Sequence, residues 1–116
     1  MRVPSAVLAA SLLAFASVSL AASAASREAV VYLTASGFSP GSASVAIGDR
    51  VRFTVRDHKA HQIAKTSGPN SGDVAPNVLE RQGSSVTLMP GEAGAYTYLD
   101  RLNPRRPEFR LAVRRR

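Results

Sequence analysis

The sequence predicts an all-β fold, a Greek-key β-sandwich or barrel of about seven strands, preceded by a signal peptide. Apolar residues recur mostly at every second position, which is the period of a strand and not the 3.6-residue period of a helix. Clusters of Gly, Pro, Ser and Asn separate these short alternating stretches. The 116 residues allow one domain. The predicted division is a signal peptide over residues 1–25 and a sandwich domain over residues 26–116.

The N-terminal stretch has the three parts of a secretory signal peptide. Arg2 supplies a positive charge, residues 6–20 form an almost unbroken apolar run, and small residues surround Ala24. The apolar run is too short and too poorly flanked for a stable membrane span, although a retained N-terminal anchor is the alternative. We therefore expect cleavage after Ala24 or Ala25 and a periplasmic or secreted protein with no stable membrane span.

Composition narrows the function classes. The absence of cysteine excludes disulfides, thiolate metal ligands, cysteine nucleophiles and redox-active dithiols. The formal net charge of +7 indicates either a solvated basic surface or one that attracts an acidic protein or an anionic lipid. Export and the lack of a recognition motif argue against a nucleic-acid partner. Because the sequence has no phosphate-binding loop and no nucleophile elbow, we expect a protein that is not an enzyme. We also expect it to be a monomer.

Seven stretches are predicted as strands. In the clearest of them, Val51, Phe53 and Val55 alternate with polar residues, so one face should lie in the core and the other in water. In the last strand, Phe109 and Leu111 are predicted to point inward with Val113. The predicted strands are residues 29–34, 43–47, 50–56, 61–65, 84–89, 95–99 and 108–113.

The connections between these strands contain strong turn signals. Residues 37–41 form a turn cluster, and Gly48 with Asp49 predicts a tight hairpin. Residues 66–77 are predicted to form a long loop rich in Gly, Pro, Ser and Asn.

Six sequence segments, in this order and at this spacing, make the chain resemble the cupredoxin family of plastocyanin and azurin. The resemblance implies a Greek-key sandwich that holds copper through an early His and a late loop of the form C-x2-H-P-x-M. His61 matches the early ligand. The segments are GFSP (37–40), VAIGDRVRFTV (45–55), DHKAHQI (57–63), LERQGSSVTL (79–88), GAYTY (94–98) and RLAV (110–113).

The late loop departs from the family pattern. Asp100 stands where the resemblance implies Cys, Asn103 where it implies His, and Arg106 at about the position of the axial Met, whereas Pro104 fits. A blue-copper centre depends on a copper–thiolate bond, and the arginines of this loop would place positive charge beside the metal. The resemblance therefore implies a degenerate type 1 copper site that does not serve as a blue-copper electron carrier.

Two functions follow from this site. The leading hypothesis is an exported binding or accessory module that contacts an acidic partner through residues 58–62 and 100–107. In it, the arginines of the late loop form the rim of the contact, and these are Arg101, Arg105 and Arg106. The alternative is a carrier or sensor for Cu(II) or another metal, with His58, His61 and Asp100 as ligands. Copper is the only cofactor that the resemblance implies.

Simpler interpretations of the same residues stay open. His61 would also fit as a buried, hydrogen-bonded histidine, His58 as an exposed side chain, and Asp100 as the partner of a neighbouring arginine in a local salt bridge. Tyr96 and Tyr98 are predicted to be core aromatics whose hydroxyls have hydrogen-bond partners. Met89 lies in an alternating strand, and it is therefore predicted to be a core residue and not an axial ligand.

Overall fold

The computed structural model describes residues 27–116, and the predicted signal peptide, residues 1–25, lies outside this range. Within it, the chain forms eight strands, and no helix is long and apolar enough to cross a membrane. The strands are β1 (Glu28–Thr34), β2 (Gly37–Ser39), β3 (Ser42–Ala46), β4 (Arg50–Val55), β5 (Ile63–Ser67), β6 (Ser85–Leu88), β7 (Gly94–Asp100) and β8 (Phe109–Arg114).

The strands form two four-stranded sheets that face each other. The first sheet has the order β2-β1-β4-β6, and the second has the order β3-β8-β7-β5. Two pairs are parallel, β1 with β4 and β3 with β8, and the other pairs are antiparallel. The prediction of an all-β sandwich is confirmed.

Alternation along the strands places one face of each sheet in the core. In β4 the apolar positions are buried and the intervening positions are not, as predicted, and in β8 Phe109, Leu111 and Val113 point inward. Tyr96 and Tyr98 are fully buried, and their hydroxyls donate to the carbonyls of Glu92 and Gly72 at 2.6 and 2.7 Å. The predicted core role of both tyrosines is confirmed.

Two predicted turns differ in the structure. The cluster over residues 37–41 contains the short strand β2, which pairs with the end of β1. The hairpin prediction at Gly48 and Asp49 is wrong, because β3 and β4 belong to different sheets. Asp49 instead accepts the backbone N–H groups of Ala46 and Arg27, at 2.9 and 3.0 Å, and so links the end of β3 to the residue before β1.

The strand directions define two ends of the sandwich. At one end β4 and β7 finish, and the chain continues into the segments that hold Asp57 and His61. At the other end β1 and β4 begin, and β3 and β8 finish. Residues implied as copper ligands by the resemblance therefore lie at the first end, and residues 114–116 lie at the second.

Candidate functional site

His61 lies between two carboxylates at the end of the sandwich where β4 and β7 finish. Its ring is almost completely buried, and the residue is 2% exposed. Nδ1 lies 2.5 Å from Oδ2 of Asp100, and Nε2 lies 2.7 Å from Oδ1 of Asp57. An ionised carboxylate can only accept a hydrogen bond, so both ring nitrogens donate, Nδ1 to Asp100 and Nε2 to Asp57. The arrangement is that of an imidazolium held by two aspartates.

Three chain segments converge to build this arrangement. Asp57 follows β4, and the backbone N–H of Lys59 donates to its Oδ1 at 3.2 Å. The backbone of His61 exchanges two hydrogen bonds with Leu79, at 3.0 and 2.8 Å, which fixes the segment before β5. Asp100 is the last residue of β7. The histidine thus joins the connection after β4 to the end of a strand in the other sheet.

Asp100 and Asn103, which stand where the resemblance implies Cys and His, are hydrogen-bonded to each other. The Asn103 side-chain amide donates to Oδ2 of Asp100 at 2.9 Å and to the carbonyl of Ala60 at 3.3 Å. The other Asp100 oxygen accepts the backbone N–H groups of Gln62 and Leu102, at 3.0 and 3.2 Å. Both carboxylate oxygens are therefore occupied. We refer to Asp57, His61, Asp100 and Asn103 as the His61 cluster.

The surroundings of His61 favour its charged form. Burial lowers the pKa of His61, but the hydrogen bonds and charges of Asp57 and Asp100 outweigh this effect and leave it above the usual value of 6.5. Burial also raises the pKa of Asp57, but the hydrogen bonds from His61 and the Lys59 N–H outweigh it and leave this pKa lowered. Both directions stabilise an ion pair in a largely buried place.

Because His61 is protonated in the folded chain, we expect the free energy of unfolding to fall as the pH rises above neutrality. Since folding raises the pKa of His61 above 6.5, the folded chain keeps a proton that the unfolded chain has lost. Its contribution is complete below pH 6.5 and is lost between that value and the folded-state pKa. Over this interval we expect the free energy of unfolding to fall by up to about 1.4 kcal/mol per pH unit. Urea unfolding at a series of pH values measures the slope.

The two histidines of the described chain provide a matched control. His61→Asn should remove the alkaline slope, whereas His58→Asn should leave it in place, because His58 is exposed. On the acid side, the pKa of Asp57 is lower in the folded chain than its usual value of 3.8. Ionised Asp57 therefore stabilises the fold above pH 3.8, and this contribution is lost as the pH falls through the folded-state pKa. A free energy of unfolding that stays constant or rises above pH 6.5 would contradict the charged state assigned to His61.

The structure brings together some of the predicted metal ligands. His61 and Asp100 are in contact, whereas His58 is exposed on the preceding turn. Asp57, which was not among the predicted site residues, accepts a hydrogen bond from the second ring nitrogen. The four-residue spacing between Asp57 and His61 in the sequence could have indicated this contact. Between residues 27 and 116, no group of three or more His, Asp or Glu side chains is arranged to hold a metal ion.

The predicted arginines lie on the loop after β7. Arg101 and Arg105 are exposed, and Arg106 is half-buried. Asp100 pairs with His61, and in the described part of the chain no carboxylate lies within 4.0 Å of these three guanidinium groups. Leu102, between the first two of them, is 46% exposed. We refer to residues 101–107 as the arginine loop.

Comparison with known proteins identifies the fold. No protein-family model and no curated protein matches the sequence. Among solved structures, a mutant of amicyanin in the Cu(I) state is 20% identical, with a TM-score of 0.60 over 74% of this chain and 81% of that chain. Oxidised plastocyanin from Dryopteris crassirhizoma is also 20% identical, with a TM-score of 0.63 over 74% of this chain and 100% of that chain. The predicted cupredoxin fold is confirmed.

The cupredoxin fold implies copper, and the donors of the His61 cluster do not fit a type 1 centre. The chain contains no cysteine to supply the thiolate. A metal needs a ring lone pair, and both nitrogens of His61 donate to carboxylates. The side-chain amide nitrogen of Asn103 donates to Asp100 and offers no lone pair to a metal. The two protons of the His61 ring thus bridge His61 to Asp57 and Asp100, where a metal ion could otherwise bridge such groups.

Proposed function

We propose that this protein is an exported binding module with the cupredoxin fold, which contacts an acidic protein partner and carries no type 1 copper. The observation that supports this proposal is the occupation of both ring nitrogens of His61 by Asp57 and Asp100. The solved structures most similar in fold include copper forms of amicyanin. This chain keeps the sandwich, and its residues at the corresponding end hydrogen-bond to one another.

The arginine loop supplies the contact surface of the proposed module. It follows Asp100, whose carboxylate accepts the backbone N–H of Leu102, so the start of the loop is anchored to the His61 cluster. Arg101 and Arg105 are exposed on either side of the exposed Leu102. An exposed apolar side chain flanked in the chain by guanidinium groups that form no ion pair among the described residues suits an acidic surface with an apolar centre, since arginine binds carboxylates through two parallel hydrogen bonds.

The rigid attachment of this loop favours binding. The Arg106 N–H donates to the carbonyl of Asn103 at 3.1 Å, and the Asn103 N–H donates to the carbonyl of Asp100 at 3.0 Å. These turns limit the conformations that the loop would lose on association. The His61 cluster therefore acts in the proposal as the support of the surface, and the arginine loop makes the contact.

Export of the module is supported by the signal-peptide pattern of residues 1–25. Intact-mass measurement of the protein from a periplasmic extract should give a chain that begins at Ala25 or Ser26. A full-length mass in the membrane fraction would contradict export. It would leave the partner contact to be judged by binding.

The partner contact is tested with two variants of equal charge change. Arg101→Gln with Arg105→Gln and Arg106→Gln removes three charges from the arginine loop. A second triple variant removes three charges from the other end of the sandwich, at Arg50, Arg114 and Arg115. From a periplasmic extract, the unmodified protein and the second variant should retain the same acidic protein, and the loop variant should lose it.

The metal alternative is tested on the same preparations. The proposal expects far less than one copper atom per purified chain by elemental analysis. It also expects no imidazole coupling in the paramagnetic resonance spectrum after Cu(II) is added. Stoichiometric copper that is lost in His61→Ala and reduced in His58→Ala would instead establish the carrier or sensor function.

A further inference from the structure

Five exposed arginines surround the end of the sandwich opposite the His61 cluster. Arg27 and Arg50 lie where β1 and β4 begin, and residues 114–116 follow along and after β8. Four of them line a shallow depression of about 230 Å³ together with Ala46 and Asp49. We refer to these residues as the arginine pole, which consists of Arg27, Arg50, Arg114, Arg115 and Arg116.

Asp49 is the carboxylate within this depression, and its charge is used inside the fold. It is 5% exposed, and its two oxygens accept the backbone N–H groups of Ala46 and Arg27 at 2.9 and 3.0 Å. These two bonds, with the nearby charges of Arg116 and Arg114, keep the pKa of Asp49 below its usual range. Its oxygen Oδ1 also accepts from Arg116. One aspartate thus faces five arginines.

Among the described residues, the side chains of the remaining arginines of the pole form no ion pair. In the part of the chain that the structure describes, no carboxylate lies within 4.0 Å of the guanidinium groups of Arg27, Arg50, Arg114 or Arg115. Glu28, the neighbour of Arg50 in register, is paired with Arg52 at 3.2 Å. The positive charge is therefore concentrated at this end and only partly balanced by Asp49.

We propose that the arginine pole docks on a membrane surface that contains anionic phospholipid. Guanidinium groups bind phosphate oxygens through paired hydrogen bonds, and several arginines on one end of a small domain suit a layer of headgroups. The position of Arg27 favours a membrane over a soluble anion as the binding partner of the arginine pole. Residues 1–26, with the apolar run at 6–20, join the sandwich at this end.

The choice of a membrane rests on the export proposed above. In that process the apolar run would enter the bilayer, and the first part of the sandwich to meet the headgroups would be the end that contains Arg27. Cleavage after Ala24 or Ala25 would leave a new α-amino group within three residues of Arg27, which adds a positive charge to the same end. This inference does not depend on the partner contact proposed for the arginine loop, which lies at the opposite end.

Vesicle sedimentation tests the inference with the protein recovered in soluble form after expression of the full chain. The unmodified protein should sediment with vesicles of phosphatidylcholine and phosphatidylglycerol in equal amounts, and it should remain in solution with phosphatidylcholine alone. Binding should weaken as the salt concentration rises above about 0.1 M, because the charges on both surfaces are exposed. Absence of binding to the anionic vesicles at low salt would overturn the proposal.

Two charge-matched variants separate a defined surface from a general effect of net charge. The pole variant Arg50→Gln, Arg114→Gln, Arg115→Gln retains Arg116 and Asp49 and hence the internal bonds of this end. Each arginine should contribute about fivefold to the partition coefficient, so we expect roughly a 100-fold loss. The loop variant at Arg101, Arg105 and Arg106 should bind nearly as well as the unmodified protein. An equal loss in both variants would overturn the assignment of a surface.

A competition experiment distinguishes lipid from free phosphate. Inorganic phosphate at millimolar concentration, with ionic strength held constant by potassium chloride, should leave vesicle binding unchanged if the pole contacts an extended headgroup layer. Displacement at constant ionic strength would identify a discrete phosphate site and overturn the membrane assignment. Loss of the acidic partner in the loop variant, with vesicle binding retained, would show that the two ends act independently.

Discussion

Asp100→Ala is expected to lower the free energy of unfolding by about 3–5 kcal/mol, the usual cost of removing one partner from a buried ion pair. The change leaves the imidazolium of His61 with Asp57 as its one carboxylate. It also removes the acceptor of the backbone N–H of Gln62 and of the Asn103 amide. A domain of this size has roughly 5–10 kcal/mol of stability, so the variant should unfold at markedly lower temperature and denaturant concentration.

Asp73→Ala is the matched control for this prediction. Asp73 also forms an ion pair, at 2.7 Å from Lys65, but its side chain is 74% exposed. Solvent screens such pairs, so its loss should cost less than about 1 kcal/mol. Urea unfolding at pH 6 compares the two variants while His61 is protonated in the folded chain. Equal costs would mean that the His61 cluster contributes no more than a surface pair.

Asp100→Asn separates the charge of the residue from its shape. An asparagine keeps an oxygen for the Gln62 N–H, but its amide group would face a ring nitrogen that now has to accept. Neutral His61 can satisfy this arrangement through the tautomer that carries its proton on Nε2, towards Asp57. We expect an intermediate loss of stability and a weaker dependence on pH above neutrality.

The fold could be predicted from the sequence because alternation and turn chemistry are local. The predicted strand over residues 50–56 differs from β4 by one residue, and its buried positions are Val51, Phe53 and Val55 as expected. Strand pairing is not local, and the hairpin prediction at Gly48 and Asp49 failed for that reason. The Asp49 side chain bonds across the two sheets, and nothing in a Gly-Asp pair distinguishes this from a hairpin turn.

The prediction that Met89 is a core residue is also wrong, since the residue is 53% exposed. Val86 and Leu88 share the inward face of β6, and Pro90 takes the next buried position. Met89 therefore lies at an outward position of the same alternation, and the prediction assigned it to the wrong face.

The candidate site could be located from the sequence, but its chemistry could not be assigned. The resemblance to cupredoxins implied that His61 and Asp100 would meet, and they do. A carboxylate beside an imidazole is compatible with a shared metal or with a shared proton. The decisive group is Asp57, which takes the second nitrogen of the ring and leaves it no free lone pair. That contact depends on the path of the chain after β4.

Three substitutions, one at the end of β7 and two in the arginine loop, should convert the His61 cluster into a copper centre. The changes are Asp100→Cys, Asn103→His and Arg106→Met, which supply the ligand set that the resemblance implies. The positions suit this change: Asp100 reaches Nδ1 of His61 at 2.5 Å, and Asn103 reaches Asp100 at 2.9 Å. Arg106 lines the same small space as these residues. A sulfur at position 100 would therefore lie beside the nitrogen that now donates to a carboxylate.

Asp57 would orient His61 as a ligand of the rebuilt centre, because it accepts a hydrogen bond from Nε2 of His61. Once Asp100 is removed, this bond favours the tautomer with a proton on Nε2 and a free lone pair on Nδ1, the arrangement that a second carboxylate imposes on metal-binding histidines. The substitution at Arg106 also removes a positive charge near the metal. The unmodified protein with added Cu(II) should lack the intense thiolate-to-copper absorption band, since it has no sulfur ligand of this kind.

The triple variant should turn blue or green when Cu(II) is added, and absorption and paramagnetic resonance spectra measure the change. Asp100→Cys alone should give a weaker and distorted thiolate site, because it lacks the second imidazole. Adding His61→Gln to the triple variant should abolish the colour, which shows that the copper lies at this histidine and not at an adventitious site. The resemblance places the axial Met only at about position 106, so Arg105→Met is also tested in place of Arg106→Met. Folded variants that all stay colourless with copper would mean that the loop after β7 does not correspond to the ligand loop of cupredoxins, although the sandwich itself does.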